Sequence, residues 1–350
     1  MSTLILPIAG ESSRFKGVRP KWLLCHPNGN LMLTESIKGI QPQKYDRILI
    51  IGLKKHNLKY KYASALLDEM LKYNKPVNLI LLKKPTRNQP ETVYQGIKKA
   101  KIKGSILIKD CDNYFSINKI PKDNAVLVSD LNKMKNINAS NKSYVTLGKK
   151  NTVVNIVEKD VIGNLFCCGG YSFENANDFC NYYKKLSSYP RLYISHIIYQ
   201  MILDEKVFFA EEANNYVDWG TLEDWNKFRD KFKTIFIDID GVLIESSSKH
   251  FKPFWGTTKA INKNVKIINE LYDSGKTYII ITTARPYNYI KITNKQIIKY
   301  GVKYHKLIMG LPHTKRILIN DYSNSNPYPS AIAINLKRND NNLKELLNEK

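Results

Sequence analysis

Short β-rich runs alternate with helical stretches, and that alternation constrains the fold of this chain more than any other feature of its sequence. The runs fall at 3–8, 46–52, 77–82, 104–109 and 125–129, with helical patterns near 57–73 and 90–101. Strands that return in the same direction need a crossover, so the pattern predicts an α/β architecture around a largely parallel sheet. From 143 to 173 the order changes to consecutive strands at 143–148, 152–159 and 166–173, followed by helices near 175–187 and 192–205. A mixed sheet is therefore expected, with the strand-rich segment forming one wall of a substrate cleft. After a polar helix at about 221–232 the pattern starts again. The run Thr234-Ile235-Phe236-Ile237 reads as a buried strand, with further strands at 277–282, 306–309, 316–320 and 331–334 and a short charged helix in the tail 339–350.

A chain of 350 residues exceeds what one hydrophobic core usually organises, so two domains are expected, with three the less favoured count. The restart places their boundary near 232. The net charge of +24 raises nucleic acid, anionic membrane or phosphorylated small molecules as partners. Residues 1–232 hold 36 of the 55 basic and 22 of the 31 acidic side chains, so the excess is shared between both parts rather than gathered in a tail. That distribution favours anionic small substrates over nucleic acid or membrane. The five cysteines, Cys25, Cys111, Cys167, Cys168 and Cys180, form no C-x-x-C pair and suggest neither a disulfide framework nor structural zinc. A reduced, cytoplasmic setting is expected. The apolar run 4–9 is too short for a signal-peptide core, and no stretch has the length of a membrane span. The sequence leaves the oligomeric state open.

The first run ends in Ile8-Ala9-Gly10-Glu11-Ser12-Ser13-Arg14-Phe15, with Pro20-Lys21 shortly after. A glycine at a strand end lets the backbone approach a phosphate, and loop N–H groups together with Arg14 and Lys21 can neutralise a triphosphate. Taken alone, the loop reads equally well as a plain turn. Later segments add to it: Lys109-Asp110-Cys111-Asp112-Asn113, Glu158-Lys159, Gly169-Gly170-Tyr171 and Tyr216-Val217-Asp218-Trp219-Gly220-Thr221-Leu222-Glu223-Asp224. With these in order, about 220 residues resemble the sugar-phosphate nucleotidyltransferases, whose loop reads A-G-x-x-(S/T)-R-F followed by P-K.

The resemblance implies nucleotide binding at Ala9, Gly10, Ser12 and Ser13, with Arg14 and Lys21 on the triphosphate. It implies Mg²⁺ held by Asp112 and Asp218, with Asp110 as the alternative to Asp112. Lys159 is implied on the acceptor phosphate and Gly170 near the acceptor body. Gln89, at a predicted helix start, corresponds to a base-contacting stretch and reads equally as a helix signal. The chemistry expected is attack of an acceptor phosphate on the α-phosphorus of a nucleoside triphosphate, driven by positioning and charge neutralisation. Residues 22–30 lack the run expected after the lysine, so the acceptor need not be an ordinary hexose 1-phosphate. The S-S-R-F form of the loop favours CTP slightly.

The second βα series opens on a strand ending in Asp238-Ile239-Asp240-Gly241-Val242. Aspartates at i and i+2 of a strand end can put one carboxylate and the intervening turn around a Mg²⁺ while the other faces a leaving group. Thr282-Thr283-Ala284-Arg285-Pro286 follows a later strand, and Asn320-Asp321 a third. This series resembles the haloacid-dehalogenase-like phosphatases. The resemblance implies Asp238 as nucleophile, Asp240 as acid and base, Thr283 on the phosphate, Lys315 as the neutralising lysine with Lys306 as its rival, and Asp238, Asp240 and Asp321 around Mg²⁺. The short span from 243 to about 262 leaves room for only a minimal cap, which the loop 246–250 can supply. The expected fold is therefore α/β with two Rossmann-like three-layer domains: residues 1–232 with a mixed sheet and 233–350 with a parallel sheet. The expected function is a bifunctional enzyme of activated-sugar or polyol metabolism, such as surface-polysaccharide precursor synthesis. A nucleic-acid end-processing phosphatase and a degenerate nucleotide-binding module fused to an active phosphatase are the alternatives.

Overall fold

The structure, a computed structural model, describes residues 1–11, 15, 17–134, 138–246, 255–321 and 331–348. The chain divides into two compact units, Met1–Asn226 and Lys227–Lys350.

The first unit contains strands β1 (Ser2–Pro7), β2 (Arg47–Leu53), β3 (Val77–Leu82), β4 (Ser105–Lys109), β5 (Asn113–Ser116), β6 (Ala125–Asp130), β7 (Ser143–Leu147), β8 (Val153–Glu158), β9 (Leu165–Phe173), β10 (Phe209–Glu212) and β11 (Asn214–Asp218). Its main sheet runs β10-β6-β9-β4-β1-β2-β3, and β7 joins through β9 and carries β8. The neighbours β3, β2, β1 and β4 are parallel, with Ile5 opposite both Leu49 and Ile108. Strand β9 then runs antiparallel to β4 and β6, so the expected mixed sheet is present. Strands β1, β2, β4 and β6 are buried on both faces, which is why their sequences read as continuous apolar runs rather than alternating ones. One face packs on a core that includes Val93, Ile97, Phe179 and Ile197 from the helices Gln89–Ala100, Ala176–Leu186 and Ile194–Leu203. The other packs on Trp22, Leu33, Leu66, Met70 and Phe115.

The single helix expected near 57–73 is two, Lys54–Tyr60 and Ala63–Met70. Lys61 turns left-handed at φ 48° and caps the first helix by donating its N–H to Asn57 O, while the Asn57 side chain accepts from Ala63 N. Hydrophobic periodicity ran through this break because both pieces bury one face on the same core.

The second unit has a parallel sheet of strands β12 (Lys233–Asp238), β13 (Thr277–Thr282) and β14 (Lys306–Ile308), in that order. The helices Asn262–Asp273, Ile290–Lys299 and Leu343–Asn348 accompany it, around a core that includes Ile237, Ile239, Val265, Ile268, Ile279, Ile281 and Ile297. The strands expected at 316–320 and 331–334 are not formed. Ile317, Leu318 and Ile319 are 76%, 57% and 88% exposed, and residues 331–334 are irregular. A β-branched apolar run states an appetite for burial, and it becomes a strand only where a neighbour supplies the ladder bonds. Among the described residues β12 is paired on its β13 side alone. No helix among the described residues is long and apolar enough to cross a membrane.

Candidate functional site

Strand order places the first site. After β1 the chain turns toward β2 on one side, whereas β4 lies on the other, so the loops leaving the carboxyl ends of β1 and β4 diverge and open a crevice. A cleft of about 700 Å³ occupies that position, lined by residues including Gly10, Lys21, Gln89, Asp110, Asp112, Lys159 and Asp218. Gly10 is exposed, with open space where a side chain would begin. Ala9 is buried in the core instead. Ser12, Ser13 and Arg14 lie outside the described residues.

A short antiparallel ribbon brings the two metal-ligand candidates together. Strand β11 pairs with β5 so that Asp218 stands opposite Asn113, and Trp219 N donates to the Asp112 carbonyl at 2.9 Å. Asp112 and Asp218 thereby face one cleft from distant parts of the chain. Each is ion-paired to a lysine: Asp112 to Lys21, and Asp218 Oδ2 to Lys142 Nζ at 2.5 Å. Asp218 Oδ1 also accepts from Gly220 N at 3.0 Å, and Thr221 caps the helix Leu222–Arg229 through Asp224 N at 3.1 Å. The D-x-G-T-x-E-D segment thus builds both the candidate ligand Asp218 and a helix start. Two recessed carboxylates are hard oxygen donors suited to Mg²⁺, which keeps its remaining positions for water and phosphate oxygens. No group of three or more metal-ligating side chains occurs among the described residues.

Asp110 takes a different place. Its carboxylate accepts from Gln89 Nε2 at 2.5 Å, and enclosure by protein, reinforced by the charge of Asp112, pushes its pKa up to about 6. Gln89 opens the helix Gln89–Ala100, which Asn88 caps by accepting from Glu91 N. Below them Lys109 is fully buried, and burial lowers its pKa to about 8. Its ammonium donates to Asn113 Oδ1 at 2.6 Å and Asn113 O at 3.1 Å, tying down the turn that carries both aspartates.

Gly169 lines the cleft with φ at +78°, and a Cβ there would meet Asp110 Oδ2 at 2.4 Å. Gly169→Ala is accordingly expected to destabilise the first unit by about 2 kcal/mol and to displace Asp110, read as a lowered urea midpoint. An unchanged midpoint would show that Asp110 has room to move. Gly170 lies behind the wall, its missing side chain facing Leu127 at 2.5 Å and Phe115 at 2.9 Å rather than the cleft.

At the far end, Lys159 adopts a left-handed backbone (φ 60°), which is strained for a long side chain. Its Nζ reaches Tyr193 OH at 2.5 Å and lies 4.4 Å from that ring's centre. Glu158 beside it accepts from Ser143 and, at 2.7 Å, from Ser195 Oγ. Sequence reasoning missed Lys142 and Lys109, because each acquires its role from partners outside its own segment. His196 accepts from Tyr193 N at 3.3 Å and caps its helix.

In the second unit, the strand pairing sets Asp238 opposite Thr282, so Asp238, Asp240 and Thr283 gather at one sheet end. Gly241 allows the turn by taking φ +87°. Ile239 N donates to Asp238 Oδ1 at 2.9 Å, and burial raises the Asp238 pKa against the pull of Arg316, whose Nη1 lies 3.3 Å from Oδ2. Arg285, fully buried, forks onto both Asp240 oxygens at 2.8 and 2.7 Å, and also reaches Gln296 Oε1 at 2.9 Å. The Asp240 carboxylate is therefore engaged by a guanidinium, so a cation at this turn would draw on Asp238 and main-chain oxygens. Thr283 is buried, its Oγ1 accepting from Arg285 N at 3.1 Å. Lys315 and Asp321 lie on exposed, irregular chain, and Lys306 is exposed on β14. Of the loop 246–250, Ser246 is described, its N donating to Asn339 at 2.8 Å, and the rest lies outside the described residues.

No protein-family model matches the chain, and no curated protein does. Solved structures share the fold of about two thirds of the chain. A nucleoside-diphosphate-sugar pyrophosphorylase from Vibrio cholerae RC9 is 20% identical with a TM-score of 0.56, covering 65% of this chain and 99% of its own. An inositol-1-phosphate CTP transferase from T. maritima is 12% identical with a TM-score of 0.52, covering 64% and 90%. A UDP-glucose pyrophosphorylase complexed with UDP-glucose is 12% identical with a TM-score of 0.51, covering 66% and 97%.

Proposed function

We propose that the first unit transfers a nucleotidyl group from a nucleoside triphosphate, with CTP favoured, to a phosphorylated sugar or polyol. The observation that carries this reading is the meeting of Asp112 and Asp218 in one cleft with Lys21 and the open Gly10. A phosphate oxygen of the acceptor attacks the α-phosphorus, forming one P–O bond as the bond to the bridging oxygen breaks, and pyrophosphate leaves with that electron pair. Asp112 and Asp218 would hold Mg²⁺, which supplies charge neutralisation on the triphosphate when bound. Lys21 and Arg14 serve the triphosphate, Gln89 the base and Lys159 the acceptor phosphate. The structural neighbours, named for nucleotide-sugar and inositol-phosphate chemistry, support the sugar or polyol class. A screen of four nucleoside triphosphates against sugar and polyol phosphates with Mg²⁺, read as pyrophosphate release, tests it. At least one pair is expected to turn over; no pair exceeding an Asp112→Ala control would reject the reading.

The second unit is proposed to hydrolyse a phosphomonoester in an adjacent cytoplasmic step, such as one of surface-polysaccharide precursor synthesis. Asp238 attacks phosphorus, and the alcohol departs with a proton that Asp240 supplies from an oxygen turned away from Arg285, its other oxygen staying on the guanidinium. Water activated by Asp240 then cleaves the aspartyl-phosphate to inorganic phosphate. Thr283, Lys315 and a Mg²⁺ at Asp238 and Asp321 would stabilise the charge. What supports this is the grouping of Asp238, Asp240 and Thr283 at one sheet end, with Arg285 fixing the orientation of Asp240.

A further inference from the structure

We infer that Lys142 is a movable cation of the first site: without metal its ammonium takes the place of a divalent ion at Asp218, and metal binding releases it to the acceptor phosphate beside Lys159. This rests on the nucleotidyl-transfer reading and adds to it a residue that the sequence motifs do not contain.

Lys142 and Asp218 both line the cleft, with side chains only 13% and 15% exposed. The ammonium lies 2.5 Å from Asp218 Oδ2 and 2.7 Å from Tyr216 OH, over a ring whose centre is 5.2 Å away. A Mg²⁺ ligated by that oxygen would sit about 2.1 Å from it. Two cations on one recessed carboxylate oxygen repel strongly, so the ammonium and the metal exclude each other.

The backbone gives the displaced ammonium a destination. Ser143 pairs with Glu158 across β7 and β8, and Lys159 N donates to Lys142 O at 2.9 Å. The two lysines therefore leave adjoining points of one strand pair. A phosphate monoester dianion carries more charge than Lys159 alone matches, and a lysine's flexible stem lets Lys142 turn from Asp218 toward it. Metal and acceptor phosphate then favour each other's binding, and by linkage the coupling is reciprocal.

The test uses the full chain, Mn²⁺ as the metal probe followed by electron paramagnetic resonance of the free ion, and inorganic phosphate as the anion. Lys142→Met is expected to bind Mn²⁺ about tenfold tighter than wild type in phosphate-free buffer, because the cation competing at Asp218 is gone, while Lys21 stays on Asp112 in both proteins. Phosphate is expected to tighten Mn²⁺ about threefold or more in wild type and Lys142→Arg, and not at all in Lys142→Met. If Lys142→Met does not fold, Lys142→Gln, which keeps a hydrogen bond to Asp218, decides by the same two readings. Mn²⁺ affinity equal to or weaker than wild type, or phosphate coupling that survives loss of the charge, overturns the inference while Asp218→Asn still abolishes binding. Binding unaffected by Asp218→Asn overturns the metal assignment itself, and this inference with it.

Discussion

Replacing Asp112 by alanine is expected to lower pyrophosphate release by about a thousandfold or more while leaving the first unit folded. The loss is large because, on the proposed reading, a metal held by one carboxylate cannot neutralise the triphosphate, and Lys21 loses its ion pair with Asp112. The fold should survive, since the ribbon is joined through the main-chain carbonyl of Asp112, which accepts from Trp219 N whatever the side chain. Single-turnover rates with circular dichroism as the folding control check this. A variant retaining a tenth of the wild-type rate would remove Asp112 from the metal site and leave Asp110 as the candidate.

Asp238→Asn is expected to abolish phosphate release from a generic phosphomonoester, by about a thousandfold or more, and to leave pyrophosphate release unchanged. An amide cannot form the aspartyl-phosphate, yet its oxygen can still accept from Ile239 N as Oδ1 does now. The substitution is therefore nearly silent for packing. Comparison of the two products in one preparation reads both activities. Phosphate release that persists would place the nucleophile elsewhere, and the turn at Asp240 and Gly241 would then be a structural one.

Much of the first unit was legible because its central strands β1, β2, β4 and β6 are buried on both faces and read as continuous apolar runs, and the half-buried edge strand β3 still carries enough apolar residues to stand out. Val77–Leu82 coincides with the expected run, and Asn88 with Pro90 marks the helix start at Gln89. The loop glycine, Lys21, Asp112 and Asp218 came from the ordered motifs that resemble the nucleotidyltransferases, and all four line one cleft. Lys142 was not, since nothing local distinguishes it from the many other lysines; its meaning comes from Asp218, far along the chain. Arg285 belonged to a motif, but its grip on Asp240 depends on β12 and β13 lying side by side. The failed strand at 316–320 shows the reverse case. Ile317, Leu318 and Ile319 have strand-like side chains, and composition alone says nothing about whether a ladder partner is present.

The pairing of β5 with β11 also has a consequence for synthesis. Asn113 meets Asp218 only after nearly the whole first unit has been translated. Closure over so many residues is slow and comes late. A ribosome-bound chain ending before β11 carries Gly10 and Asp112 but only half of the carboxylate pair. On the proposed reading, half-made chains should thus bind divalent ions and triphosphate poorly, and nucleotide capture would report that the first unit has been completed.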